Sequence, residues 1–314
     1  MVGLTKKIRS LVLCLFFAAA FCGNVFARET ISQSIQSSGL TRHFLLHIPD
    51  SYQKNRSAAL VFVFHGGGGD AKQAEKYTKF SRLSELEGFI AVYPNAIDKN
   101  WNDGRNVKKF RSQRENIDDV GFVLSILDTL KSSFNIDRHR VFITGVSNGA
   151  IFCHFLANKA SGNFLAMASV IGSMAKPAAK HFNPARPISV LMINGTKDPL
   201  VPYKGGGVGF LGKRGKVVGV EACVKLWGKH NQCRPTPAVE ILPDVDPKDG
   251  TRVTKMTYSN PRNQTEVVFY KIKNGGHNWP GGKKYLPDRI VGKVCRDIDA
   301  TTVIWDFFKR RPRR

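Results

Sequence analysis

The chain has 314 residues, of which 42% are hydrophobic and 23% charged, and its 48 Lys and Arg against 24 Asp and Glu give a formal charge of +24. Beyond the N-terminal leader described next, no stretch is long and apolar enough to cross a bilayer, so no transmembrane segment is expected in the mature chain. The charge favours adsorption to anionic surfaces, but the basic residues are scattered apart from the tail 309–314, and no nucleic-acid motif accompanies them, so specific nucleic-acid binding is not expected.

The leader begins with Lys6, Lys7 and Arg9, continues through an apolar run at 11–21, and reaches Val25-Phe26-Ala27 before the charged Arg28-Glu29. A basic start, a short apolar segment and a small residue at the cut describe a secretory signal peptide over 1–27, and the chain is expected outside the cytoplasm, extracellular or periplasmic. Residues 28–314 then suit one large catalytic domain, and with the leader removed 45 basic and 24 acidic residues leave a charge near +21. Cys153, Cys223, Cys233 and Cys295 remain. Four cysteines in an oxidising compartment allow three pairings. Cys223 with Cys233 is the first choice, feasible only if the chain doubles straight back after a helix; free thiols are the alternative.

Residues 42–48 nearly alternate apolar and polar and predict a half-buried strand ending at Pro49. The continuous apolar run 59–64 predicts a central parallel strand buried on both faces, stopping at His65-Gly66-Gly67-Gly68-Gly69-Asp70. A helix is expected over 71–87 and a strand over 89–93. Residues 96–116, with little periodicity and the run Trp101-Asn102-Asp103-Gly104-Arg105, read as a long surface loop near a site. A helix over 118–134 opens on two acids that suit its N-terminus.

Residues 141–150 read as a buried strand, a sharp turn Gly145-Val146-Ser147-Asn148-Gly149, and the start of a helix. This is the pattern of a nucleophile elbow, in which small neighbours let strand and helix close around a serine held above the helix N-terminus. Strands follow at 166–171 and 188–193. A glycine-rich, basic segment at 205–216 is expected to be a mobile loop, and a helix follows over 217–227. Strands and turns fill 240–270, the last strand is 266–272, and an amphipathic helix closes the chain over 297–309. Strands alternating with helices predict an α/β fold of three layers, a mostly parallel sheet with helices on both faces.

A serine hydroxyl needs a base to take its proton and an acid to orient the base. In the α/β-hydrolase order Ser, Asp or Glu, His, the acid is Asp198, in Gly195-Thr196-Lys197-Asp198 just past an apolar strand. Only His230 and His277 follow it, and His277 on the glycine-rich loop after the last strand is the natural base. The bland readings are a turn-forming Asp198 and a solvated His277. A developing oxyanion needs N–H donors: Asn148 supplies one, and Gly67 the other, with Gly66 and Gly68 open as alternatives. Cys153 and His154 are expected to be packing residues. No metal and no organic cofactor is implied.

Taken together, His65-Gly66-Gly67, Trp101-Asn102-Asp103-Gly104-Arg105, Asp118-Asp119-Val120-Gly121-Phe122, Gly145-Val146-Ser147-Asn148-Gly149, Gly195-Thr196-Lys197-Asp198 with Val201-Pro202-Tyr203, and Gly276-His277-Asn278-Trp279-Pro280-Gly281 resemble the secreted esterase and polyhydroxybutyrate depolymerase family of α/β-hydrolases, with its feruloyl and acetyl-xylan esterase relatives. The resemblance extends over about 41–308. It implies a serine carboxylic-ester hydrolase with the triad Ser147, Asp198 and His277, acting on small or oligomeric esters, and it implies Trp279 as a wall of the substrate pocket. Asn194 departs from the family, which often has His before Gly-Thr-x-Asp. A peptidase with the same triad, and a non-catalytic basic surface-binding protein on a hydrolase scaffold, are the rival readings.

Overall fold

A computed structural model describes residues 30–311. The leader expected at 1–27 lies outside the described residues. In chain order the elements are β1 (Ile31–Ser37), β2 (Leu40–His47), β3 (Ala58–Phe64), α1 (Ala71–Thr78), α2 (Phe80–Glu87), β4 (Ile90–Pro94), α3 (Arg111–Arg114), α4 (Asp119–Ser133), β5 (Ile136–Val146) and α5 (Asn148–Ala160). Then come β6 (Ala166–Val170), α6 (Lys176–Ala179), β7 (Ser189–Gly195), β8 (Gly206–Gly207), β9 (Lys216–Val217), α7 (Val220–His230), β10 (Ala238–Ile241), β11 (Arg252–Asn260), β12 (Thr265–Lys273), α8 (Asp288–Val291) and α9 (Ala300–Lys309).

Ten strands form one sheet in the order β1-β2-β4-β3-β5-β6-β7-β12-β11-β10. The six central strands from β4 to β12 are parallel, while β1, β2, β10 and β11 add antiparallel edges. The two-residue period of a strand sends alternate side chains to opposite faces. Along β3, Leu60, Phe62 and Phe64 join a core with Phe122 and Ile126 of α4, Phe152 of α5 and Trp227 of α7. The intervening Val61 and Val63 join a second core with Phe80 of α2 and Ile304 and Phe308 of α9. Two cores separated by one sheet make the three-layer α/β arrangement, a mostly parallel sheet with helices on both faces, expected from the pattern.

Several expectations are corrected. The helix over 71–87 is two helices, because Lys79 adopts φ +59° and ends the first ladder with its N–H on Glu75 O. The break resets the helical phase so that Phe80 is buried and packs edge-on against Phe89 at 6.2 Å. Residues 96–116 are a surface loop only in part: several residues on either side are exposed, but Trp101 and Asp103 are fully buried and Arg105 nearly so. Trp101 stacks on Phe152 at 4.8 Å and meets Phe64 edge-on at 5.2 Å, so an aromatic cluster draws the loop inward. The segment 205–216 is a hairpin, with Gly206 and Gly207 of β8 paired to Val217 and Lys216 of β9.

The Cys223–Cys233 staple is not formed, and all four cysteines among the described residues are free thiols. Cys223 faces the core from the first turn of α7, about 10 Å along the axis from the helix end. Cys233 is held at that far end by its N–H on Gly228 O, so the chain never returns to Cys223.

Candidate active site

Val146 ends β5 and Asn148 opens α5, leaving Ser147 alone to make the turn at φ 55°, ψ −115°, a sparsely populated conformation. The flanking glycines permit it by close approach: a methyl group at Gly149 would overlap the carbonyls of Phe64 and His65, and one at Gly145 would overlap the backbone of Gly149. Helix α5 thus lies directly on the end of β3, with the Ser147 hydroxyl at the carboxyl edge of the sheet, where ligands of open α/β sheets bind.

Asp198 and His277 follow β7 and β12, neighbouring parallel strands. Their loops are stitched together by Lys197 N–H on Gly275 O and by Thr196 N–H on Ile272 O, both 2.9 Å. Across that seam Asp198 Oδ2 sits 2.7 Å from His277 Nδ1, and His277 Nε2 sits 2.9 Å from Ser147 Oγ. The other carboxylate oxygen, Oδ1, accepts the N–H groups of Leu200 and Val201, each at 2.8 Å, which fixes its rotamer. Both side chains are almost wholly buried. Three residues 51 to 130 positions apart in sequence therefore form one continuous hydrogen-bonded line. With the acid on Nδ1, the imidazole presents Nε2 to the hydroxyl as a proton acceptor.

The loop after β3 lies against the elbow. Gly66 packs on Ser147 and Gly67 on Asn148, with ideal Cβ positions 3.5 Å and 3.4 Å from the respective Cβ atoms. Gly68 donates its N–H to Lys99 O at 2.8 Å, and Gly69 to Gly66 O at 3.0 Å. Those two groups are spent, which leaves the N–H groups of Gly66 and Gly67 without a protein acceptor among the described residues. His65 braces this loop. Its Nε2 accepts the Ala96 N–H at 3.1 Å, so Nδ1 carries the proton and donates it to Gly66 O at 2.8 Å. Burial lowers the His65 pKa to about 4, which keeps the ring neutral and that pattern intact.

A clamp that the motif reading did not resolve into roles holds Asn148. Its Oδ1 accepts the Trp101 N–H at 2.9 Å and its Nδ2 donates to Asp103 Oδ2 at 2.5 Å. Asp103 in turn takes Arg105 Nε and an Arg105 terminal nitrogen at 2.7 Å each, and Gln113 Nε2 at 3.0 Å. Burial pushes the Asp103 carboxyl above the usual range, while the Arg105 guanidinium and the hydrogen bonds oppose the shift. Arg105 also donates to Arg214 O at 2.7 Å, tying in the β8–β9 hairpin. A second buried pair, Arg42 with Asp119 at 2.6 Å, secures the loop from behind, because Asp119 Oδ2 accepts the Asn102 N–H. The available sequence signal was opposite charges two residues apart beside a tryptophan in a glycine turn.

Trp279, expected at the pocket wall, is instead 1% exposed, with its indole N–H on Thr301 Oγ1 and its backbone N–H on the Tyr77 hydroxyl. Its large apolar area packs into the core shared with α9, and the aromatic surface left exposed nearby is Tyr285, edge-on to Tyr77 at 6.0 Å. His154 and Cys153 are buried packing residues. Asp249, Cys295 and Asp297 bring possible ligand atoms within 4.8 Å of one another. Their carboxylates already accept the backbone N–H groups of Thr251, Arg296, Val245 and Asp246, which is a loop-stapling role.

Residues 43–188 match the family model described as Esterase PHB depolymerase. The chain is 27% identical over 290 residues to the putative esterase NocK of Nocardia uniformis subsp. tsuyamanensis, covering 88% of this chain and 82% of that protein. It is 23% identical over 293 residues to feruloyl esterase D of Neurospora crassa, covering 90% and 86%. Among solved structures, acetyl xylan esterase from Aspergillus awamori shares the fold with a TM-score of 0.56 at 13% identity, over 79% of this chain and 94% of that one. These likenesses bear out the resemblance drawn from the motifs.

Proposed function

Proceeding from an esterase of the α/β-hydrolase fold, we propose that the chain is a secreted serine hydrolase that works through an acyl-enzyme. Ser147 attacks the ester carbonyl as His277 takes its proton. His277 then returns that proton to the departing alcohol, and Asp198 stabilises the imidazolium formed in between. The oxyanion is held by the N–H groups of Asn148 and Gly67, and water repeats the sequence to free the acid. The observation that carries this reading is the unbroken line from Asp198 to His277 to Ser147, at 2.7 and 2.9 Å. A peptidase would need the same line; the esterase relatives favour the ester.

The substrate class that fits is a hydroxyalkanoate oligomer or a feruloyl or acetyl ester on a polysaccharide. Secretion rests on the leader composition of 1–27, with 28–314 as a single catalytic domain. Among the described residues no helix is long and apolar enough to cross a membrane. The test is hydrolysis of a short-chain nitrophenyl ester by the unsubstituted protein and by Ser147→Ala: the substitution should abolish the acyl-enzyme burst, and equal rates would sink the mechanism.

A further inference from the structure

Strands β5, β7 and β12 are parallel, so the loops that follow them gather at one edge of the sheet. Ser147 follows the first, Lys197 and Asp198 the second, and Asn274 and His277 the third. On that edge, beside the loops that carry Asp198 and His277, a groove of about 360 Å³ has a lining that includes Lys197, Pro199, Asn274, Asp288, Arg289 and Lys293. Lys197 and Pro199 bracket Asp198. The opposite wall is pinned to the histidine loop by Gly276 N–H on Lys293 O at 2.9 Å and His277 N–H on Val291 O at 2.5 Å.

The charge of this groove is one-sided. Asp288, its acid, is engaged by Lys284 at 2.7 Å. Lys197, Arg289 and Lys293 are exposed and form no ion pair among the described residues, so three unpaired basic residues border one groove whose single acid is already paired. Like charges gathered without partners repel one another, and an anionic ligand removes that cost.

We propose that the groove binds a carboxylate carried by the alcohol component of the ester. The inference rests on the serine-esterase reading, because the direction of the substrate follows from it. The carbonyl oxygen turns to Gly67 and Asn148, and the departing oxygen must meet His277 Nε2, so the alcohol component extends along the histidine loop. That loop leads to Lys293 and Arg289. A hydroxyalkanoate oligomer carries its terminal carboxylate on this component, and so does an esterified sugar chain containing uronic acid. Three partly solvated ion pairs amount to about tenfold in affinity.

The test separates the groove from the chemistry. Binding to Ser147→Ala is measured by calorimetry with a short hydroxyalkanoate oligomer, its carboxylate free or capped as an amide, and with acetylated oligosaccharides, uronate-bearing or neutral. At least one carboxylate ligand should bind about tenfold tighter than its uncharged counterpart. The preference should vanish when Lys197→Gln, Arg289→Gln and Lys293→Gln are added, and the pair that shows it identifies the source of the carboxylate. Equal binding within both pairs, or a preference that survives the triple substitution, overturns the proposal. Nitrophenyl acetate turnover is read separately. Its retention in the triple variant with Ser147 intact shows a sound catalytic centre, and its absence from the unsubstituted protein would overturn the esterase reading without altering the binding result.

Discussion

Asp103 is fully buried, yet the clamp around it holds the side chain of Asn148, and Asp103→Asn probes that coupling. The substitution keeps the volume and removes the charge opposite Arg105, which is 5% exposed and cannot recover full hydration. Leaving one member of a buried pair uncompensated costs about 3–5 kcal/mol of stability. The rate has its own ceiling. Among the described residues the Asn148 side chain is held by two bonds, to Trp101 and Asp103, so losing the second frees the first residue of α5 to shift. Complete loss of one oxyanion donor would cost about 2.7–4 kcal/mol, or roughly 10²–10³ in kcat.

The expected phenotype of Asp103→Asn is therefore a kcat lowered by at least about tenfold within that ceiling, with KM for a small nitrophenyl ester little changed. Stability and positioning come apart in the double variant Asp103→Leu with Arg105→Met. Replacing both members of a buried pair with apolar groups is often neutral or stabilising. The melting temperature should recover while kcat stays low, since the Asn148 amide still lacks its acceptor. Wild-type kcat in that double variant would show that the clamp serves stability alone, and the coupling argued here would be wrong.

Three further outcomes follow from the same geometry. Asp198→Asn should lower kcat by roughly 10⁴ with a small change in KM, because the amide selects the wrong tautomer of His277; steady-state kinetics decide, and a loss under tenfold would contradict the assigned role. Gly195→Ala should reduce activity strongly with the fold retained, since a methyl there overlaps the Gly275 carbonyl and pries the acid loop from the histidine loop; unaltered kinetics in a folded variant would reject that seam. Burial depresses His154 to about pH 3, and its Nδ1 accepts the Trp227 indole N–H at 3.0 Å. The folded pKa lies below the unfolded value near 6.5, so the stabilisation is complete above 6.5 and is lost as the pH falls from there toward 3. In denaturant titrations between pH 6.5 and 4, His154→Asn should flatten the decline by about 1.4 kcal/mol per pH unit; an unchanged slope would count against a neutral buried ring.

Much of the site was legible in the chain because chemistry and local geometry coincide in short motifs. The turn around Ser147 demands small neighbours, and Asp198 and His277 sit directly after apolar runs, so residue type, spacing and order sufficed to single out three side chains that the fold brings into one hydrogen-bonded line. The central strands were legible for a similar reason: a strand buried on both faces must be continuously apolar, as residues 59–64 are. Both properties belong to a few consecutive residues.

The misreadings share the opposite property. Whether Trp101 lies on the surface depends on Phe64 and Phe152, which are distant in sequence. Whether Trp279 lines a pocket depends on Thr301 and Tyr77, and whether Cys223 meets Cys233 depends on the turn that ends α7. The split of the helix at Lys79 is set by the packing of Phe80 on Phe89 rather than by any glycine or proline. The sequence by itself determined the layers and the elbow and pointed to the two residues that the fold sets beside Ser147, since backbone periodicity and hydroxyl chemistry are local. Only the tertiary structure decided what braces Asn148 and where three cations converge, since burial and charge balance are sums over neighbours that the chain brings together only when folded.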